Sequence, residues 1–156
     1  MTTKAIPDGY HSITPYLSLK GAADAIEFYK KAFGAEELFR LPMPNGDIGH
    51  AEIRIGDSSI MLADSCDETG FRDPTNLGGT SVGLYLYVED VDAQFARAVE
   101  AGAKVIKPVE DQFYGDRNCT LEDPFGHTWF LSTHTEDVTP EELQRRMQAM
   151  FDSDGG

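Results

Sequence analysis

The 156-residue chain carries 27 Asp and Glu against 13 Lys and Arg, a formal net charge of −14 at pH 7. A field of that sign repels nucleic-acid phosphates and anionic membranes, so neither is an expected partner. At 40% hydrophobic and 26% charged residues the composition is that of a folded globular chain. A chain of this length buries roughly 70% of its unfolded surface, so it needs no disulfide or structural metal.

Cys66 and Cys119 lie far apart without a Cys-x-x-Cys partner, and are expected to be free thiols in a reducing compartment. The first ten residues carry one lysine and no apolar stretch, so no signal peptide is expected. The strongly apolar run Gly83–Val88 is too short to span a bilayer. The expectation is a soluble, cytoplasmic protein.

Ile13–Leu19 alternates at a period of two and predicts a half-buried strand. Over Gly21–Phe33 the period lengthens: Ala22, Ala25, Ile26, Tyr29 and Phe33 fall on one helical face, and Gly34 ends it. Glu37–Pro42 predicts a strand, closed by the turn Pro44-Asn45-Gly46-Asp47. His50–Ile55 and Ser59–Ala63 predict two more, and Asp64–Thr80 reads as a polar connecting loop. Gly83–Val88, Val91–Ala101, Val105–Val109, Asn118–Glu122 and Thr128–His134 then repeat the order strand, helix, strand, strand, strand. Tyr16-Leu17 returns as Tyr85-Leu86 and Gly34-Ala35 as Gly102-Ala103, at an offset of about 69 residues. Neither copy alone covers both faces of its sheet, so the two must share a core. Thr139-Pro140-Glu141-Glu142 predicts a capping box opening a last helix, with Leu143, Met147, Met150 and Phe151 as its apolar stripe. That stripe suits either its own domain or a second subunit.

Two motifs carry a resemblance. Ala25-Ile26-Glu27-Phe28-Tyr29-Lys30-Lys31-Ala32-Phe33-Gly34 and Asp123-Pro124-Phe125-Gly126-His127-Thr128-Trp129, set in the duplicated βαβββ plan, resemble the glyoxalase/bleomycin-resistance/dioxygenase (vicinal oxygen chelate, VOC) superfamily. Gly49-His50-Ala51-Glu52 and Tyr114-Gly115-Asp116-Arg117 are similar to its PhnB-like branch. The resemblance implies an α+β fold: tandem βαβββ modules forming a curved mixed sheet, followed by a C-terminal helix. It implies a single domain over 1–156, with a first module of about 12–64, a connecting loop 65–80, a second module of about 81–134 and a helix of about 139–151. The two concave faces of such modules together make one ligand pocket. Metal enzymes of the superfamily place four ligands on the first and last strand of each module, which here fall on Thr14, Met61, Gly83 and Phe130. A hard divalent ion needs carboxylate or imidazole donors. None of these four supplies one, so no metal or other cofactor is expected.

Strand parity places Tyr16, His50, Glu52, Arg54, Met61, Tyr85, Tyr87 and Phe130 on the faces turned away from the helices. Aromatics, hydroxyls and a few charges suit a ligand cavity better than a second dry core. Phe113 and Tyr114 beside Gly115 are expected to cover its mouth, and Arg117 is a candidate for an anionic ligand. His50 and Glu52, two apart on one strand, suit a base and its orienting carboxylate. A structural polar pair satisfied by Arg54 and solvent is the plainer account of them. His127 is expected to cap its own turn, and His134 to lie too far out along its strand. The expected function is therefore metal-free binding of a small, flat, aromatic organic molecule by a homodimer. The alternative is a lyase, isomerase or dioxygenase using His50 and Glu52 as a displaced metal site or an acid/base pair.

Overall fold

A computed structural model describes residues 2–154; Met1, Gly155 and Gly156, at the ends of the predicted 1–156 domain, lie outside the described residues. The order is β1 (Tyr16–Leu19), α1 (Ala22–Phe33), β2 (Glu36–Pro42), β3 (Ile48–Ile55) and β4 (Ser58–Asp64). A short α2 (Pro74–Leu77) lies within the connection. Then come β5 (Gly83–Tyr87), α3 (Val91–Ala101), β6 (Lys104–Asp111), β7 (Asp116–Glu122), β8 (Thr128–His134) and α4 (Pro140–Asp154). The predicted tandem βαβββ plan is present as two four-stranded mixed sheets, ordered β1-β4-β3-β2 and β5-β8-β7-β6. In each, the first strand runs parallel to the last, and the other pairings are antiparallel.

Several boundaries depart from the periodicity, and three of the departures have a clear physical reason. β1 begins at Tyr16, because Ile13 is 86% exposed and has no ladder partner to extend the strand. β7 begins at Asp116, because that carboxylate is buried by hydrogen bonds which an apolar pattern does not register. Asp73 accepts from the Thr75 and Asn76 amides, which starts α2 inside the predicted loop.

Side-chain caps reach across the chain as well as along it. Asp64, at the end of β4, accepts from the Gly21 and Ala22 amides, 2.9 Å each, and so caps α1 from another element. At α4 the Thr139 hydroxyl accepts from the Glu142 amide as predicted. The Glu142 carboxylate is taken by Arg145 and Arg146, so the reciprocal half of the capping box is replaced by ion pairs.

Leu17, Leu19, Ala25, Ile26, Tyr29, Ile53 and Leu62 join Val91, Ala98, Leu121, Trp129 and Leu131 in a single buried cluster. Phe33 lies 4.4 Å from Trp129, ring to ring, so α1 of the first module packs on the sheet of the second. The turn Asp123–His127 locks this contact. Asp123 accepts from Tyr29 Oη at 2.7 Å and Trp129 Nε1 at 2.9 Å, and from the Phe125 and His127 amides. The buried His127 ring, expected to cap its own turn, instead reaches the Ser18 carbonyl at 2.9 Å and joins the modules, since the Asp123 carboxylate already takes the amides of that turn. Gly126 holds φ at +93° with Pro74 close above it, a place where a side chain has no room. Among the described residues no helix is long and apolar enough to cross a membrane.

Candidate functional site

Because the helix-covered faces meet at the centre, the other face of each sheet is open. In the first module β1 presents Tyr16, β2 Phe39 and Leu41, β3 His50, Glu52 and Arg54, and β4 Met61. The ladder sets Tyr16 and Glu52 on either side of Met61, with Phe39 opposite Glu52. Tyr16 Oη lies 2.7 Å from His50 Nδ1, and His50 Nε2 lies 2.7 Å from Glu52 Oε2. Glu52 is buried, and that burial pushes its carboxyl above the usual range. Among the described residues Arg54 makes no ion pair with Glu52; its guanidinium lies against Gly9 of the N-terminal segment. The same segment accepts a hydrogen bond from the buried Ser59. Tyr16 also meets Phe71 edge to face at 5.0 Å, and the two line an open cleft of about 880 Å³ with Met43, Ile48, Cys66 and Asp67.

The second open face is built differently. Tyr85 stacks on Phe130 at 5.9 Å and 21°, and tilts against Tyr87 at 5.1 Å. Beside them Asp116, 5% exposed, accepts from Tyr85 Oη at 2.6 Å and Tyr87 Oη at 3.3 Å, while His134 Nδ1 stands 2.8 Å from its other oxygen. Asn118 donates to Tyr85 Oη and Tyr114 Oη, and His134 Nε2 lies 2.7 Å from Asp137. Burial alone would raise the Asp116 carboxyl. Hydrogen bonds from Tyr85, His134, Ser132 and Tyr87 outweigh it and hold the group below the usual range. Tyr85 is pushed up to about 12 by its own burial and by Asp116, and Tyr87 rises for the same reasons. Contacts with Asp116 and Asp137 raise His134.

The predicted site residues therefore fall into two groups. Tyr16, His50, Glu52, Arg54 and Met61 share one open face; Tyr85, Tyr87 and Phe130 share the other, with Tyr114 at its edge and Phe113 against Tyr114 at 5.2 Å. One chain does not bring them into a common pocket, because α1 and α3 hold the two sheets back to back. Between the modules lie a small cavity of about 160 Å³, lined in part by Thr14, Ser59 and Tyr85, and more open clefts, one lined by Tyr87 and His134 with Phe33 and Ile55, the other by Tyr16 with Leu84 and His127. Arg117 points to the helix side, where Asp92 and Asp111 hold it. Asp116, Asn118 and His134 were not among the sequence candidates, although Asp116 and Asn118 share parity with Thr120 on β7. Phe71 lies in a loop with no periodic signal. Of the thiols, Cys119 is buried and Cys66 exposed, and both are free.

A family model described as Glyoxalase/Bleomycin resistance protein/Dioxygenase superfamily matches residues 14–131. The chain belongs to this superfamily. An uncharacterised protein of Mycobacterium tuberculosis, Rv0887c, is 44% identical over 144 residues, covering 90% of this chain and 85% of that one. The crystal structure of the Arabidopsis thaliana gene product At5g48480 aligns with a TM-score of 0.65 at 28% identity, covering 79% of this chain and 98% of that one. The PhnB protein of Bacillus cereus aligns with a TM-score of 0.62 at 20% identity, over 79% of this chain and 99% of that one. The superfamily fold is thus present with a PhnB-like neighbour, as the two motifs implied.

Proposed function

We propose that this superfamily member is a metal-free binding protein for a small, flat, aromatic organic molecule, acting as a cytoplasmic homodimer. The observation that carries the reading is the Tyr85–Phe130 stack on an open sheet face, flanked by Tyr87 and the hydroxyl and amide groups of Ser132 and Asn118. An aromatic floor with a few orienting polar groups suits recognition of a flat ring. The residues at the four metal positions of the superfamily do not fit a hard divalent ion. Thr14 offers a neutral hydroxyl and Met61 a thioether, and a Cβ built on Gly83 would clash with the Phe130 ring. In the second module an aromatic side chain thus occupies the space a ligating one would need.

Homodimer formation is proposed from exposed apolar surface in two places: Phe39 and Leu41 on the first open face, and Met147, Met150 and Phe151 along α4. A second copy laid against an open face would close it into a pocket. Light scattering is expected to give twice the chain mass, and a monomer at tens of micromolar refutes this part of the reading.

The deciding experiment is elemental analysis of protein purified without chelator, combined with a fluorescence titration against 9-aminoacridine as a planar probe. Sub-stoichiometric Zn, Ni, Mn and Fe are expected, with binding weakened about three- to tenfold by Phe130→Ala. One equivalent of metal lost on mutating His50 and Glu52 would instead establish the enzyme reading. That second reading is favoured by one observation, the hydrogen-bonded chain Tyr16–His50–Glu52.

A further inference from the structure

We propose that Tyr16, His50 and Glu52 form a triad in which the Tyr16 phenol is a general base toward neutral or cationic carbonyl compounds held in the cleft of the first module. The geometry is a continuous chain of two 2.7 Å contacts, phenol to imidazole to carboxylate. With Glu52 ionised, its carboxylate can only accept, so His50 Nε2 carries the ring proton. Nδ1 is then the bare nitrogen, and the Tyr16 hydroxyl donates to it. This is the order of roles in a nucleophile–imidazole–carboxylate triad, with a phenol as the first member.

The members are held in place. Cross-strand pairing fixes Tyr16 and Glu52 about Met61, and Phe71 sets its ring edge-on to Tyr16. Phe71 is itself fixed by two backbone hydrogen bonds with Cys66 and by Ser18 Oγ donating to its carbonyl at 3.0 Å. Tyr16 lines the cleft of about 880 Å³ and its oxygen meets His50, so one side chain joins the imidazole to the space a substrate would fill. Phe71, Met43 and Ile48 supply apolar walls for a flat body. Asp47 and Asp67, also on the lining, disfavour anionic substrates.

In the step assigned, the phenol proton passes to His50 Nδ1 as the Tyr16 oxygen takes a proton from the carbon next to the carbonyl. The C–H electron pair becomes the enolate, and Glu52 stabilises the imidazolium. Return of a proton from the Tyr16 oxygen to the same face of that carbon, as the imidazolium gives its proton back to the phenol oxygen, regenerates every group, and nothing is oxidised or reduced; the exchangeable phenol and imidazole protons let solvent label enter. The inference rests on the second reading above, in which His50 and Glu52 serve as an acid/base pair, and it does not depend on the Tyr85–Phe130 face.

Two measurements on the intact protein test it. The first is labelling with benzenesulfonyl fluoride, in which a phenol O–S bond forms, S–F breaks, the phenol proton goes to His50 and fluoride leaves. Tyr16 is expected to react about tenfold or more faster than Tyr87, which is more exposed but whose hydroxyl meets the Asp116 carboxylate and no imidazole nitrogen. His50→Gln should remove that advantage and Glu52→Gln reduce it severalfold, while the Tyr87 rate in the same digest stays constant and reports an intact fold. His50→Asn serves if the Gln variant disturbs that control. A Tyr16 rate no greater than that of Tyr87, or one unmoved by His50 substitution, overturns the triad. The second is deuterium uptake at the α carbons of 4-phenyl-2-butanone in D2O, expected above buffer for the wild type and lost in Tyr16→Phe. Uptake no faster than buffer overturns the assignment of Tyr16 as a base toward carbonyls. Binding of 9-aminoacridine in the same variants reads the other face separately, so failure of either idea is seen alone.

Discussion

The two modules share a topology, a strand order and a helix, yet nearly every polar group they expose differs. At the β3–β4 turn the first module has Gly56-Asp57, a short exposed connection. At the corresponding β7–β8 turn the second has Asp123–His127, whose carboxylate and imidazole are buried against the first module. The open faces diverge as well: a linear chain ending on one buried carboxylate in the first, and in the second a buried carboxylate shared by two phenols and an imidazole. A duplicated fold constrains the apolar positions that build the common core and leaves the outward positions free to change. The halves have diverged where parity points away from that core.

The comparison is broken hardest at the turns. Asp123→Ala leaves the Tyr29 hydroxyl and the Trp129 indole N–H buried without acceptors, and frees two backbone amides. Each orphaned donor costs about 1–3 kcal/mol, so the variant should lose at least about 3 kcal/mol in urea unfolding. Asp57→Ala, at the equivalent exposed turn, should change stability by less than about 0.5 kcal/mol. Similar losses at both turns would mean that the modules are anchored symmetrically.

Next comes the centre of the second face. Asp116→Ala removes the common acceptor of Tyr85, Tyr87 and His134, and should cost about 1–3 kcal/mol. The pH dependence has two limbs. The folded-state carboxyl of Asp116 is depressed, so its contribution is present above the unfolded value near ~3.9 and fades as pH falls through the folded one. His134 is raised, so its contribution is complete below ~6.5 and fades as pH rises through its folded value. The difference in Tm between wild type and His134→Gln should therefore peak in mildly acidic buffer and shrink on both sides. A difference that grows steadily to pH 9 contradicts the contact.

Much of the fold is legible in the sequence, and the reason lies in particular residues. Val91–Ala101 and Thr128–His134 have the predicted bounds because an acidic residue caps one helix and clean alternation marks the strand. The helix-covered positions Leu17, Ile53, Leu121, Trp129 and Leu131 are buried as parity requires. What parity does not carry is which way two sheets are set against each other. That orientation rests on long-range contacts such as Tyr29 with Asp123 and Gln94 with the Ala32 carbonyl. The division of the candidate site into two faces follows from it. Asp116 was missed for a related reason, since a polar strand start is stabilised by partners far along the chain.

The first module makes the opposite demand on its carboxylate. Glu52 is raised by burial, so its charged form carries a cost that is absent at low pH and appears as pH rises through the folded value. Glu52→Gln keeps an acceptor for His50 Nε2–H and removes the charge. It should leave stability unchanged or raise it by up to about 1 kcal/mol at neutral pH, with the gain vanishing in acid. A clear loss of Tm at neutral pH would mean that the Glu52 carboxylate stabilises this face, as Asp116 does its own.

The smallest effect sharpens the comparison most finely, because it turns on one residue of β7. Arg117 and Asn118 are sequence neighbours and therefore point to opposite faces of the sheet. Arg117 is held by Asp92 of α3, and Asn118 donates to Tyr85 and Tyr114 beside the aromatic stack. Arg117→Gln should leave the affinity for 9-aminoacridine within about twofold, since an exposed ion pair contributes little and lies on the far side. Asn118→Ala should weaken it severalfold by releasing Tyr85, which stacks on Phe130, and Tyr114 at the edge of the same face. If Arg117 proved the more sensitive, the probe would be bound on the helix side, and the open face of the second module would lose its claim to be the binding surface.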